Sequence, residues 1–324
     1  MKIRIITPAP PHSRKGNRVT AVRYARLLRD LGHHVAIAED YNGSPCDLMI
    51  ALHARKSFPA MERLREKQPN TPTVLVLTGT DLYGDIHSDP SARRALEWAW
   101  RLVVLQPMGI AALPARLRSK ARAIVQSAQA SAVRPPPLVR SFEVCVLGHL
   151  RPVKDPLRAA KAARLLPPSS RVSILHIGAA LTKDMETAAQ NETNANPRYR
   201  WVGAVPRWKA LRYLARSRLM VLTSRLEGGA NVISEAIAAS VPVLSSRIAG
   251  SIGVLGADYA GYFPVGDTRS LASLLLRAET DIRFYRGLLR WCRRLAPLVD
   301  PAHERRGWAK LLSEPFELGR QAVE

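Results

Sequence analysis

Short apolar runs recur along the chain, separated by turn residues and by stretches whose apolar residues return every three or four positions. In the first half, residues 3–7, 33–38, 47–52, 73–77, 102–105 and 123–126 read as strands. A helix is expected over about 18–31, where Ala21, Tyr24, Ala25, Leu28 and Leu31 fall on one face and Gly32 ends it. Further helices are expected over 89–100 and, broken by Pro114, over 110–120. Strand, loop, helix and strand in this order resemble the opening of a doubly wound α/β domain, whose ligands sit at the loops after its strands.

Arg134-Pro135-Pro136-Pro137 interrupts the pattern. Consecutive prolines fit neither a central strand nor a helix, so this segment reads as a stiff linker. A second α/β series follows, with strands at 142–147, 171–177, 199–201, 219–222, 241–244 and 261–265. Helices are expected over 157–166, 211–216, 236–240, 270–277, 282–296 and 301–312, the last with Trp308 packed. No short sequence repeat occurs; the repetition is architectural, two doubly wound halves with a cleft between them.

Composition narrows the classes. The 324 residues suffice for about two domains, and a hydrophobic share of 47% is that of a globular chain. No apolar run approaches the roughly 20 residues of a membrane span, and Thr7-Pro8-Ala9-Pro10-Pro11 cuts the N-terminal run too early for a signal peptide. Cys46, Cys145 and Cys292 lie far apart, without metal-type spacing, which points to a reducing, cytoplasmic setting. The net charge of +23, from 49 Lys+Arg against 26 Asp+Glu, raises nucleic acid as a partner. Against it, the arginines are dispersed along helical segments and aromatics make up only 6%. An arginine-rich enzyme surface that also attracts phosphorylated small molecules is the simpler reading.

The most informative stretch is Arg225-Leu226-Glu227-Gly228-Gly229-Ala230-Asn231-Val232-Ile233-Ser234-Glu235-Ala236. A Gly-rich turn between a buried strand and a helix offers backbone N–H groups and a helix N-terminus to an anion. Glu227 and Glu235, with seven residues between them, place one carboxylate in the turn and one about a turn inside the helix. Carboxylates accept from sugar hydroxyls and N–H groups suit phosphate, so a nucleotide-sugar satisfies both; two solvated carboxylates are the plain alternative. In the first half, the loop Ser13-Arg14-Lys15-Gly16-Asn17-Arg18 is long and basic. It reads as an anion cradle, or else as an exposed loop with an Asn cap. His53 and Thr78-Gly79-Thr80-Asp81 follow strands at the same edge and are either site residues or structural ones.

These residues carry a resemblance. Gly148 with Arg151 and Lys154, then Val202-Gly203, then Glu227 and Glu235, then Pro242-Val243 are similar to the nucleotide-sugar domain of retaining GT-B glycosyltransferases over roughly 143–260. From residue 1 to about 310 the chain also resembles the selenosugar synthases of selenoneine biosynthesis. This likeness is carried by Ser13-Arg14-Lys15-Gly16-Asn17-Arg18-Val19-Thr20, Leu77-Thr78-Gly79-Thr80-Asp81-Leu82-Tyr83-Gly84-Asp85, Gly148-His149-Leu150-Arg151-Pro152-Val153-Lys154-Asp155-Pro156 and Gly261-Tyr262-Phe263-Pro264-Val265-Gly266-Asp267. The resemblance implies a GT-B fold of two Rossmann-like domains facing a central cleft. Residues 1–137 form the acceptor domain, with a helix at about 303–324 packing back on it, and 138–302 bind the UDP-sugar. It implies transfer from UDP-N-acetylglucosamine to selenophosphate, giving 1-seleno-N-acetylglucosamine, UDP and phosphate, alongside other enzymes of that pathway. The enzymatic alternative is a hydroxyl acceptor.

By the same resemblance Arg151 and Lys154 hold the donor diphosphate, Glu235 the ribose, and Glu227, Gly228 and Gly229 the sugar, with Gly203, Val205, Ala230, Asn231 and Val232 completing the donor contacts. Ser13, Arg14, Lys15, Gly16, Asn17 and Arg18, with His53, Thr78, Gly79, Thr80 and Asp81, are the acceptor set. No metal or cofactor is expected, nor a nucleic-acid or membrane partner. Thr78 stands where such enzymes often carry His. Ser240 stands where Gly is common, and is expected to be a packing difference.

Overall fold

The computed structural model describes residues 1–13 and 16–316. They divide into two compact units, residues 1–125 together with the chain from Pro301, and residues 126–300. In the first unit the order is β1 (Lys2–Ile6), α1 (Gly16–Asp30), β2 (His34–Ala38), β3 (Leu48–Leu52), α2 (Ala54–Lys67), β4 (Thr73–Leu77), α3 (Ile86–Ser88), α4 (Pro90–Trp98), β5 (Arg101–Val104), α5 (Met108–Ala111) and β6 (Ala121–Ala123). All strand pairs are parallel, in the order β2-β1-β3-β4-β5-β6. β3 and β4 are buried at every position, which is why they read as unbroken apolar runs. One face of the sheet packs Ile3, Ile5 and Leu52 against Tyr24 and Leu28 of α1; the other packs Met49 and Leu75 against Phe58 and Leu64 of α2 and Leu96 of α4.

The second unit runs β7 (Phe142–Leu147), α6 (Arg158–Ala163), β8 (Val172–Ile177), α7 (Lys183–Ala195), β9 (Tyr199–Trp201), α8 (Arg207–Arg216), β10 (Leu219–Leu222), α9 (Asn231–Ala238), β11 (Val243–Ser246), α10 (Ala249–Leu255), β12 (Tyr262–Phe263), α11 (Thr268–Thr280) and α12 (Ile282–Arg294). Its sheet is also wholly parallel, in the order β12-β11-β10-β7-β8-β9. The chain then returns to the first unit as α13 (Pro301–Leu312). Trp308 of α13 is fully buried, its ring edge-on to Tyr24 at 4.8 Å, and Arg23 of α1 pairs with the buried Glu304 at 3.1 Å.

Several elements differ from the expectations. α2 fills a stretch where no helix is expected, although Pro59 lies inside it; burial of Phe58, Met61 and Leu64 outweighs the lost hydrogen bond. α7 is also unforeseen, because it buries only Ala189 and so shows no apolar stripe. The helix expected over 110–120 is α5 followed by a 3₁₀ turn at Ala115–Lys120, with Pro114 between them. α9 starts at Asn231, not at 236, so the whole small-residue turn leads directly into it. Residues 126–141 form no regular element, and Pro136 and Pro137 are exposed within them.

Ser240 carries a backbone cost in place of a packing difference. It has φ +54° just past the end of α9, where the Val241 N–H closes onto the Ala236 carbonyl at 2.8 Å. A side chain in this left-handed conformation is strained, which is the reason glycine is favoured there. Ser240→Gly is expected to raise stability by about 0.5–1 kcal/mol, after allowing for the looser unfolded chain. A urea midpoint that rises with an unchanged slope supports this; a fall refutes it.

Candidate active site

In the second unit the strand order switches between β7 and β10, and the loops at the carboxyl ends of these strands are the usual ligand position in such sheets. These loops are tied together by one backbone and two hydroxyl-to-carbonyl hydrogen bonds. The Arg225 N–H donates to the Val153 carbonyl at 2.8 Å, and the Thr223 hydroxyl donates to the Lys154 and Asp155 carbonyls at 2.8 and 3.0 Å. Farther back, Ser246 Oγ donates to the Ser224 carbonyl at 2.5 Å. The clamp brings Lys154 Nζ onto Glu227 Oε1, which also accepts from the Ser224 hydroxyl at 2.6 Å.

Arg151 follows Leu150, which is fully buried and bonded through its N–H to the Ala179 carbonyl at 2.8 Å. The anchor fixes the backbone and leaves the Arg151 side chain exposed at the loop's rim. Two glycines permit close approaches behind the site. A Cβ on Gly178 would lie 1.9 Å from the Gly148 carbonyl oxygen, and one on Gly250 would lie 2.2 Å from that of Glu227. Gly228 and Ala230 are buried, Gly229, Asn231 and Val232 half-buried, and no side chain of Ala230 caps the start of α9.

Glu235 lies one turn inside α9, almost fully buried, and pairs with Arg207 Nη2 at 2.7 Å. Arg207 opens α8, at the end of the β9 connection that holds Gly203 and Val205; Gly203 takes φ +68°, and its carbonyl accepts from the Gly178 N–H at 2.9 Å. Glu227 and Glu235 are therefore each matched with a cation, from different loops. A ligand carrying both phosphate and hydroxyl groups could exchange into both pairs: phosphate onto Lys154, hydroxyls onto the carboxylates.

The first unit assembles its expected residues differently. Gly16 and Asn17 begin α1, with Ser13 just before it; Arg14 and Lys15 lie outside the described residues. Arg18 Nε and Thr7 Oγ1, on either side of this loop, are buried and have no hydrogen-bond partner among the described residues. His53, at the carboxyl end of β3, is buried with φ +82° and caps α2, Nδ1 accepting weakly from the Lys56 N–H at 3.4 Å. Its Nε2 lies 3.3 Å from Thr80 Oγ1, and burial holds its pKa below the usual histidine value, partly opposed by Asp81. Asp81 is itself saturated: Thr78 and Gly79 N–H groups donate at 2.9 and 2.8 Å to one oxygen and Ala54 N–H at 3.0 Å to the other. It staples the turn after β4 to the start of α2, beginning a π-helical turn over Asp81–Asp85.

Residues 135–285 match the family model described as glycosyl transferases group 1. The matched residues lie within the linker and the second unit. A search of curated proteins finds no match to the sequence. Among solved structures, the chain is similar to Anabaena Alr3699/HepE in complex with UDP-glucose, with TM-score 0.80 and 16% identity over 97% of this chain and 99% of that one. It is likewise similar to sucrose-phosphate synthase from Thermosynechococcus elongatus, with TM-score 0.77 and 16% identity over 96% and 98%. The trehalose 6-phosphate synthase of Burkholderia multivorans follows at 0.67 and 16%, over 83% and 71%. The fold is GT-B: α/β, with two doubly wound, parallel-sheet domains.

Within the second unit, sequence reasoning missed Arg207, Ser224, Gly250 and His176. Arg207 carries no local signal, and Gly250 is needed for a close approach without a positive φ. Among the described residues no three His, Cys, Asp or Glu side chains gather at metal-binding distance, and no helix is long and apolar enough to cross a membrane. His176 is fully buried in β8, Nδ1 at 2.9 Å from Tyr199 Oη and Nε2 at 3.1 Å from the Gly148 carbonyl. The neutral ring with its proton on Nε2 donates to Gly148 and accepts from Tyr199, so His176 supports the start of the β7 loop. Burial lowers its pKa from 6.5 to about 4. Between these values the unfolded chain binds the extra proton and the folded one does not, so stability falls as pH drops through this window. His176→Gln is expected to lower stability at neutral pH and to flatten that slope. An unchanged slope in urea unfolding across the same pH range overturns this account.

Proposed function

We propose that the chain is a selenosugar synthase, transferring the sugar of UDP-N-acetylglucosamine to the selenium of selenophosphate. The observation that carries the donor half is the clamp that holds Lys154 and Glu227 together at the switch point of a group 1 glycosyl transferase domain. The similar HepE structure contains UDP-glucose, which supports a UDP-sugar donor here. On this reading the diphosphate draws Lys154 from Glu227 and is also met by Arg151, and the ribose hydroxyls replace Arg207 at Glu235. The freed Glu227, with the N–H groups of Gly228 and Gly229, holds the sugar. As the anomeric carbon–oxygen bond breaks, Arg151 and Lys154 stabilise the charge growing on UDP.

The acceptor half rests on the first unit's basic loop and on two buried groups without hydrogen-bond partners among the described residues, Thr7 Oγ1 and Arg18 Nε. A phosphate-bearing nucleophile satisfies both. Selenophosphate is anionic and soft at selenium, so its attack needs orientation more than a general base. That agrees with a first unit in which Asp81 is saturated by backbone N–H groups and His53 is engaged as a helix cap. The carbon–selenium bond forms as the bond to UDP breaks. Water then cleaves the selenium–phosphorus bond, so sugar nucleotide, selenophosphate and water give selenosugar, UDP and phosphate.

Mass spectrometry of a reducing, anaerobic reaction with UDP-N-acetylglucosamine and fresh selenophosphate tests the whole reading. A selenium isotope pattern at the mass of a seleno-N-acetylhexosamine, with UDP, is the expected result. UDP with no selenium in the sugar discards the acceptor in favour of a hydroxyl acceptor, and failure of the donor to bind discards both. Lys154→Met is expected to lower kcat/KM for the donor about 10²-fold. Arg18→Ala is expected to raise the selenophosphate KM severalfold with donor affinity unchanged; an unchanged KM removes Arg18 from the pocket.

A further inference from the structure

The first unit has a second basic concavity, at the opposite end of its strands from the loops just described. Side chains alternate along β1, so Ile3 and Ile5 face α1 while Lys2 and Arg4 face the other side. In register, Lys2 lies beside His34 and Arg4 beside Ala36 of β2. A doubly wound sheet ordinarily covers this face with a helix. Here the connection from β2 to β3, residues 39–47, contains none, and β2 stays half-exposed along its length.

The result is a hollow of about 530 Å³, lined by Lys2, Arg4, Arg29, His33, His34 and Cys46 among others. Arg29 is braced by donating to the Val35 carbonyl at 2.7 Å. The Arg4 side chain is half-buried and has no hydrogen bond or ion pair among the described residues. The nearby acid, Asp47, accepts from the Lys2 backbone N–H at 2.6 Å. A half-buried guanidinium without a carboxylate, among further cations, is an arrangement that a phosphate completes by paired N–H donation. The volume is that of a small-molecule pocket, and its concavity favours a compact polyanion over a nucleic-acid duplex or a lipid surface.

We propose that this hollow binds an oligophosphate, either inorganic or the tail of a nucleotide, at a site separate from the transferase loops. Calorimetry on the full chain, with inorganic tripolyphosphate and with ATP as probes, tests it. Three proteins are compared: wild type, Arg4→Gln, and Arg18→Ala/Arg151→Ala/Lys154→Met, which removes cations of both proposed substrate sites; this last is the multiple variant. The multiple variant is expected to bind tripolyphosphate as wild type does, and Arg4→Gln to bind about tenfold more weakly or worse. Histidine-ring NMR on the wild type supplies an independent reading, the His33 and His34 signals moving on titration with tripolyphosphate. Tighter binding of ATP assigns the site to a nucleotide, and equal or weaker binding to inorganic polyphosphate. Unchanged affinity in Arg4→Gln, or binding lost in the multiple variant while His33 and His34 stay still, overturns the proposal.

Discussion

The site depends on hydrogen bonds to backbone carbonyls that clamp the loop after β7 to the loop after β10. Thr223 and Arg225 bond to carbonyls of Val153, Lys154 and Asp155, and only because of this do Lys154 and Glu227 meet. Side-chain ion pairs at a partly exposed rim contribute little orientation by themselves. Bonds to carbonyls, made from the ends of buried strands, place both partners before any ligand arrives, and that preorganisation is what a developing charge requires. The glycines at 178 and 250 serve the same arrangement, since any side chain there would push the neighbouring loops outward.

The two units treat their polar groups differently. In the second, Glu227 and Glu235 are each paired with a cation and His176 is buried and neutral, so a ligand must compete with existing partners. In the first, Asp81 is consumed by the turn it staples, while Arg18 Nε and Thr7 Oγ1 are buried and unsatisfied among the described residues. Unsatisfied buried groups are costly and call for a partner. On the proposed function, the contrast fits a donor site whose cations are held ready and an acceptor site whose cations are left open. The excess of arginine, a net charge of +23, shows locally as guanidinium groups with few carboxylates to meet.

Local pattern carried much of this. Unbroken apolar runs announced strands buried on both faces, and β3 and β4 are that; the Gly-rich turn between the β10 run and a small-residue helix announced an anion-binding edge, with Glu235 one turn inside α9. Such features are readable because burial and backbone freedom are imposed residue by residue. Elements without an apolar stripe were not readable: α7 buries one alanine, and α2 contains a proline that argues against it until Phe58 and Leu64 are seen against the sheet. Only the tertiary structure decided the pairings. Lys154 and Glu227 are 73 positions apart, His176 and the Gly148 carbonyl 28, and Arg207 reaches Glu235 from another strand's connection. The open face of β1 and β2 likewise follows from a crossover without a helix. The sequence determined which segments must be buried and which turns can hold an anion. Strand order, set by the packing of the whole sheet, decided which of those turns stand side by side.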